Sequence, residues 1–211
     1  MQAVQVTPAF VNGLFMSLVL IVAIGAQNAY VLRQGLRREH VGAVVLFCAA
    51  SDAVLIGAGV AGMAQALKGR PMLATALAAF GAVFLCTYGL KALWRSRRPA
   101  ALQATAQGAS LSRAAVVAQA AGFTLLNPHV YLDTVLLVGS AGAQYAGLLK
   151  VWFVAGAATA SALWFTSLGF GARLLAPVFA RPRAWQMLDG LIGGTMLLLA
   201  AMLAHRAFSG L

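Results

Sequence analysis

Two of the four acidic residues in this chain, Asp52 and Asp133, lie inside long apolar stretches of the sequence. A carboxylate at the centre of a membrane-spanning helix costs about 2.5–3.5 kcal/mol on insertion scales. Acidic residues that are found within membrane spans despite this cost usually face the interior of a helix bundle and bind a cation or a proton. We therefore expect Asp52 to face the bundle interior and to bind a cation or a proton, and Asp133 could point into the same cavity. The structural alternatives are hydrogen bonding of Asp52 to Ser51 and neighbouring helices, and a position of Asp133 at the outer membrane interface.

Two polar interruptions fall at corresponding places in the two halves of the chain. Segment 25–28 (Gly-Ala-Gln-Asn) interrupts the first apolar stretch, and segment 126–129 (Leu-Asn-Pro-His) interrupts the fourth. An unwound helix frees backbone groups, and its half-helix ends carry partial charges that can hold a carboxylate or an ammonium group. The alternative is a kink satisfied by neighbouring helices. The candidate site residues in the two segments are Gln27, Asn28, Asn127, Pro128 and His129, of which His129 is also explained by ordinary hydrogen bonding.

Signatures of enzymes and of nucleic-acid-binding proteins are missing from the sequence. There is no P-loop, GxSxG or HExxH motif, and no paired carboxylates. His129 with Asp133 is too little for a metal site or a catalytic pair. Cys48 and Cys86 lie in apolar runs without CxxC spacing, so we expect unpaired, buried side chains. We expect no enzymatic activity, cofactor, metal or nucleic-acid partner, since the basic residues form short tracts rather than one face of a domain.

Composition places this chain among membrane proteins. Its residues are 62% hydrophobic and 9% charged, whereas soluble domains average about 45–50% apolar and about 25% charged. The first 32 residues carry no charged side chain, so the first apolar stretch is interpreted as a span rather than a cleavable signal peptide. Stretches of about 20 residues cross a bilayer core of about 30 Å. About six spans are predicted, over residues 9–32, 41–66, 71–94, 114–140, 151–174 and 185–205.

The stretch from Arg95 to Arg113 is the main linker of the chain. It separates repeat one, about residues 9–94, from repeat two, about residues 114–206, within a single transmembrane domain over residues 1–211. Because each half holds an odd number of predicted spans, the halves would have inverted topology, as in many transporters. Clusters of Arg predict that this linker and the loops near residues 33–38 and 173–183 are cytoplasmic, with both termini outside. We expect an all-α membrane protein of two inverted repeats, each starting with a broken helix.

Two features of the sixth predicted span have structural interpretations. Asp189 is close in sequence to Arg181 and Arg183, so an interfacial anchor or an ion pair with those arginines is expected. Gly190 and Gly194 form a GxxxG pattern that could pack helices closely or dimerise them, which leaves a homo-oligomer open.

Three segments of the chain resemble the lysine exporter (LysE) family, in its lysine/arginine export branch. They are residues 25–35 (GAQNAYVLRQG), Asp52 in the second predicted span, and residues 126–134 (LNPHVYLDT). The resemblance extends over nearly the whole chain in length and span order, and the His-x-Tyr-x-Asp that follows Asn-Pro is its specific part. It implies that the translocation path is lined by Gln27, Asn28, Asp52, Asn127, Pro128 and Asp133.

Lysine and arginine carry two positive groups and one carboxylate, which two intramembrane acids without an intramembrane base would complement. With the resemblance, this leads us to expect a secondary exporter of basic L-amino acids in the bacterial inner membrane, driven by exchange for protons. Its partners would be the amino acid, the proton and the lipid bilayer. The alternative is export of neutral amino acids or other small metabolites by the same fold, and the rival class is a membrane enzyme or a scaffold subunit.

Overall fold

The computed structural model describes residues 2–22, 25–63, 71–97, 111–127, 130–179 and 181–209 as helices joined by short turns. Pro128, His129 and most of the predicted linker lie outside the described residues. The helices are α1 (Gln2–Ile21), α2 (Ala26–Arg37), α3 (Val41–Ala58, then π-helical over Gly59–Met63), α4 (Pro71–Ser96), α5 (Arg113–Leu125), α6 (π-helical over Tyr131–Val138, then α-helical over Gly139–Ala143), α7 (Leu148–Gly171, then a 3-10 turn Ala172–Leu175), α8 (Ala176–Phe179) and α9 (Pro182–Ser209).

Both predicted interruptions fall between helices. The axes of α1 and α2 meet at 83°, and Gly25 is extended ahead of α2, with φ −109° and ψ 172°. At the second interruption α5 ends at Leu125, Asn127 is non-helical, and the chain is helical again from Val130. The following segment is π-helical, a conformation frequent at functional sites. The polar segments therefore stand where helices end and begin.

Three helical segments are long and apolar enough to cross a membrane: Val41–Gly62, Leu148–Leu175 and Pro182–His205. The pair α1 and α2 makes a fourth if it counts as one broken span. These segments coincide with the second, fifth, sixth and first predicted spans. An all-helical, multi-pass membrane architecture with three to four candidate spans is therefore present in the described residues, and the full set of six stays a prediction.

Glycines let the long helices pack backbone against backbone. α1 packs along α7, and α4 packs along α9. A Cβ added at Gly13 would clash with the backbone carbonyl of Phe153, and the facing Gly156 is equally restricted. Gly89 and Gly193 face each other across α4 and α9, since a Cβ on either would lie 3.0–3.2 Å from the other's carbonyl oxygen. Close packing of this kind is a main source of helix association in lipid.

Large apolar side chains cover the outside of the bundle as well as filling its core. Tyr30, Phe123 and Phe165 are almost completely buried. By contrast, Val19 is 73% exposed and Leu46 is 67% exposed. Contiguous apolar surface is unusual on a water-soluble monomer but is what lipid tails require. The outer surface therefore agrees with the composition of the chain.

Candidate functional site

A cavity of about 260 Å³ lies between the two helix breaks. It receives side chains from both interrupted segments, from the middle of α3 and from α6. Its volume is close to the lower end of the usual range for small-molecule sites, about 300–1,000 Å³. The residues that line it are Ser17, Leu20, Ile21, Gly25, Gln27, Asn28, Asp52, Asn127, Val130, Asp133, Thr134, Val138 and Leu199. Five of the seven sequence-predicted site residues are thus brought together, and the other two, Pro128 and His129, lie outside the described residues.

The Asn28 amide holds the first break in place. Its Nδ2 donates a hydrogen bond of 2.6 Å to the carbonyl oxygen of Ile21, at the end of α1. Its Oδ1 accepts a hydrogen bond of 3.1 Å from Nε1 of Trp164 on α7. The freed carbonyl at the end of α1 is therefore satisfied by protein, as a helix end in a membrane requires. Asn28 lines the cavity and also ties the start of α2 to α1 and α7.

The second break is closed in a similar way. The hydroxyl of Tyr131, at the start of α6, donates a hydrogen bond of 2.9 Å to the carbonyl oxygen of Leu125, the last residue of α5. The backbone N–H of Val130 donates to the carbonyl oxygen of Asn127 at 3.0 Å. At each break, a side chain from the start of the second helix thus satisfies a carbonyl at the end of the first. Sequence reasoning did not identify Tyr131 or Trp164, because their partners lie across a break or on another helix.

Asp52 faces the interior of the bundle, as predicted from its cost in a membrane. It lies on the buried face of α3 with Cys48 and Ile56, which are four residues away on either side, and is only 3% exposed. Its Oδ2 accepts a hydrogen bond of 3.0 Å from the hydroxyl of Ser161 on α7. Among the described contacts the hydroxyl partner of Asp52 is Ser161, which lies on a neighbouring helix as the structural alternative allowed, rather than the adjacent Ser51. The sequence does show Ser161 as a polar residue inside an apolar span. Its pairing with Asp52 could not be predicted, because it depends on how α3 and α7 pack.

Hydrogen-bond donors for a carboxylate are present at the start of α2. Gln27 is buried close to Asp52, and its Nε2 makes no hydrogen bond of regular geometry among the described residues. Gly25 is the N-cap of α2 and has no side chain that could cap the helix. The first backbone N–H groups of α2 therefore receive no hydrogen bond from an N-cap side chain. A helix N-terminus also carries partial positive charge. This end of the cavity is therefore suited to an anionic group.

Asp133 brings a second carboxylate to the cavity. It lies in the π-helical part of α6, is half-buried, and lines the same cavity as Asp52. The next residue, Thr134, donates from its hydroxyl to the carbonyl oxygen of Val130 at 2.6 Å, which satisfies one carbonyl of the first turn of α6. Two carboxylates on separate helices, α3 and α6, thus border one cavity. They can bind positive groups, whereas the donors at the start of α2 can bind a negative one.

Asp189 pairs with Arg33 and Arg95, so the predicted ion pair with Arg181 or Arg183 was wrong. Its carboxylate is fully buried and lies 3.0 Å from Nη1 of Arg33 and 3.2 Å from Nη2 of Arg95. Asp189 is about two turns inside α9 and faces α2 and α4, whereas Arg181 and Arg183 are exposed at the start of the helix. Arg33, expected in a loop, is itself buried. The chain therefore has a buried cluster of ions away from the cavity.

The comparisons with known proteins agree with these features. The profile of the family described as "LysE type translocator" matches residues 18–207. The chain is 43% identical over 206 residues to "Putative amino-acid transporter YggA" of Aeromonas salmonicida, covering 93% of this chain and 95% of that protein. It is 44% identical over 176 residues to "Putative amino-acid transporter Rv0488" of Mycobacterium tuberculosis, covering 83% and 87% respectively. No solved structure is significantly similar.

Proposed function

This chain belongs to the LysE type translocator family, and we propose that it exports basic L-amino acids, lysine or arginine, from the cytoplasm. The relatives are described as amino-acid transporters without a stated substrate. The choice of a basic substrate is therefore argued from the cavity. The activity proposed is transport, with no catalytic step.

The distribution of charge supports a cationic substrate. The chain has four acidic residues, and two of them, Asp52 and Asp133, border the cavity. None of the described residues lining the cavity is Lys or Arg. A site whose described lining holds two carboxylates and no Lys or Arg favours a solute with two positive groups, because a carboxylate within a membrane is costly without a counter-charge or a proton. Arginine and lysine carry an α-ammonium and a cationic side chain, which is the complement of this pair.

The substrate carboxylate would lie at the start of α2. Nε2 of Gln27 and the first N–H groups of α2 are available there as donors. Half-helix N-termini that face a midplane site hold substrate carboxylates in several transporter folds. In this arrangement the α-carboxylate points towards Gln27 and the two cationic groups point towards Asp52 and Asp133.

Proton exchange accounts for the energetics of export. Moving one positive charge out of an interior-negative cell is opposed by about 2.3 kcal/mol per 100 mV. An inbound proton for each outbound cation cancels that electrical cost. Asp52 or Asp133 would carry the proton, because each can bind either the substrate cation or a proton but not both at once. The transporter would reside in the inner membrane of a bacterium.

We further propose six spans in two inverted repeats, separated by the linker over about residues 95–113. Three observations support a pseudo-two-fold relation between the halves. Both breaks are closed by a side chain of the second helix. Gly89 of α4 and Gly193 of α9 face each other reciprocally. Backbone contacts at Gly59–Gly139 and Gly35–Gly169 each join a broken helix of one half to the second span of the other. Arg33 and Arg95, from two of the basic tracts, also meet at Asp189, which favours the cytoplasmic side at that end.

Flux in proteoliposomes tests the substrate. The purified chain would be reconstituted with labelled arginine, lysine or threonine inside, and efflux measured with and without an inward proton gradient. We expect saturable efflux of arginine and lysine that the gradient accelerates, and little efflux of threonine. Equal efflux of threonine would favour the neutral-amino-acid alternative, and insensitivity to the gradient would contradict proton exchange. Protein-free liposomes and the variant Asp52→Asn serve as controls.

A further inference from the structure

A second space in the molecule has the opposite electrical character to the central cavity. This basic groove, of about 320 Å³, is bordered by Arg33, Arg37, Phe84, Tyr88, Lys91 and Arg95, and it shares no lining residue with the central cavity. We propose that it binds the phosphate headgroup of an anionic phospholipid, with an acyl chain along the apolar part of α4. The inference needs only a membrane location and does not depend on the transported substrate.

The side chains of the groove carry an excess of positive charge, which favours binding of an anion. Arg33 and Arg95 share the single carboxylate of Asp189, and Nη2 of Arg37 donates to Glu39 at 2.8 Å. The other two acids of the chain border the central cavity. Four cations therefore face two carboxylates, so two positive charges are not compensated. A cationic amino acid would be repelled from such a groove, whereas a phosphate would be attracted.

Unused polar atoms lie in the same place. Nε of Arg37 and Oε2 of its ion-pair partner Glu39 are buried without a hydrogen-bond partner among the described residues. Oε1 of Gln34, which borders the groove, is likewise without one. Gln34 is 3% exposed, and its Nε2 is already donated to the hydroxyl of Tyr30 at 3.1 Å. A buried guanidinium donor without an acceptor is costly unless a ligand completes it. A phosphate oxygen would accept from Arg37, and a headgroup hydroxyl would donate to Gln34.

Aromatic side chains and then cationic side chains follow one another along α4, as the acyl chain and the charged headgroup do in a phospholipid. Phe84, Tyr88, Lys91 and Arg95 follow one another at three- or four-residue steps, so they form one stripe on the helix. The aromatic members lie deeper in the helix and the cationic members lie within the last turns before Ser96. Lys91 is exposed, so the stripe is accessible from outside the bundle. Basic pockets between helices on the cytoplasmic side are known to receive anionic lipid headgroups.

Lipid retention on the intact protein tests this assignment. The chain would be purified in mild detergent with phosphatidylglycerol or phosphatidylcholine, and bound lipid counted by native mass spectrometry. We expect retention of phosphatidylglycerol over phosphatidylcholine, weakened about fivefold in Lys91→Gln and in Arg37→Gln, since each basic residue near a lipid surface contributes about that factor. The matched controls, Lys150→Gln and Arg173→Gln, remove cations outside the groove and should retain the lipid as the unchanged protein does.

Two results would overturn the assignment. One is equal retention of phosphatidylglycerol by the groove variants and by the controls. The other is displacement of the lipid by inorganic phosphate or glycerol 3-phosphate at concentrations comparable to the lipid, since this would indicate a site for free anions in which the acyl chain plays no part. A thermal unfolding curve for each variant establishes that the protein is folded, so loss of lipid in a folded Lys91→Gln variant supports the site.

Discussion

The hydroxyl of Ser161 donates a 3.0 Å hydrogen bond to the carboxylate of Asp52, and so joins the middle of α7 to the middle of α3. Both residues are buried. The bond orients a carboxylate that borders the central cavity, because a hydroxyl donor restricts the rotation of the side chain. The same two helices thereby position the candidate cation site and hold each other in register.

Replacement of the Asp52 carboxylate tests its charge separately from its shape. Asp52→Asn should leave the protein folded, because the amide oxygen can still accept from Ser161, but should lower arginine efflux at least about tenfold through loss of a buried counter-charge. Efflux from proteoliposomes is the measurement. Ser161→Ala is the matched control: it removes the hydrogen bond, keeps the charge, and should slow efflux less. Wild-type efflux by Asp52→Asn would contradict the role of the carboxylate.

Asp133 is predicted to select for a cationic side chain. Asp133→Asn should reduce efflux of lysine and arginine by about tenfold or more while affecting a neutral amino acid much less, since only a basic substrate needs the second counter-charge. Competition between labelled arginine and unlabelled neutral amino acids gives the ratio directly. An equal loss for both classes of substrate would assign Asp133 to coupling or to folding instead.

The Asn28 amide should stabilise the break between α1 and α2. Asn28→Ala removes the hydrogen bonds to Ile21 and from Trp164, and each such bond in a membrane contributes about 0.6–2 kcal/mol. Trp164→Phe removes only the second bond. Thermal unfolding in detergent should therefore rank the proteins as wild type, Trp164→Phe and Asn28→Ala in order of decreasing stability. Equal stability of Asn28→Ala and wild type would mean that the break is held by other contacts.

Asp189 should be essential for the stability of the end of the bundle that holds Arg33 and Arg95. Asp189→Asn leaves the buried guanidinium of Arg33 and the half-buried guanidinium of Arg95 without their counter-charge, and breaking a buried ion pair in this way costs about 3–5 kcal/mol. A large fall in the unfolding temperature is expected, with partial recovery in the double variant Asp189→Asn/Arg33→Gln. Arg183→Gln, an exposed position at the start of α9, is the control and should have little effect. Additive losses in the double variant would argue against direct coupling.

The proposed topology places the linker over residues 95–113 in the cytoplasm and both termini outside. Single cysteines introduced at Arg97 and Arg206, in a variant lacking Cys48 and Cys86, can be labelled from one side of intact cells. We expect a membrane-impermeant reagent to reach the cysteine at position 206 and to miss that at position 97. Protection of both positions would place the C-terminus inside and mean that one span was miscounted.

The sequence alone carried the information that is local along the chain. Hydropathy and the spacing of charges indicated a membrane protein, because lipid excludes charged side chains from any exposed position. The cost of a carboxylate in a membrane predicted that Asp52 would face the interior, and polar interruptions at Gln27-Asn28 and at Asn127 predicted the helix breaks. Each of these inferences depends on a residue and its near neighbours, so it required no knowledge of which helices touch.

Pairings between distant residues were decided only by the tertiary structure. These pairings depend on how each helix is rotated and on which helix lies beside it. They are the contacts of Asp52 with Ser161, of Asn28 with Trp164, and of Asp189 with Arg33 and Arg95. Composition does not determine the rotation of a helix or its neighbours, since an apolar helix in lipid has no polar face to mark its orientation. Sequence proximity pointed to Arg181 and Arg183, but close packing of glycines between α4 and α9 carries Asp189 towards Arg95 instead. The basic groove also depends on the tertiary structure, because its cations come from α2 and α4, which are separated in the chain.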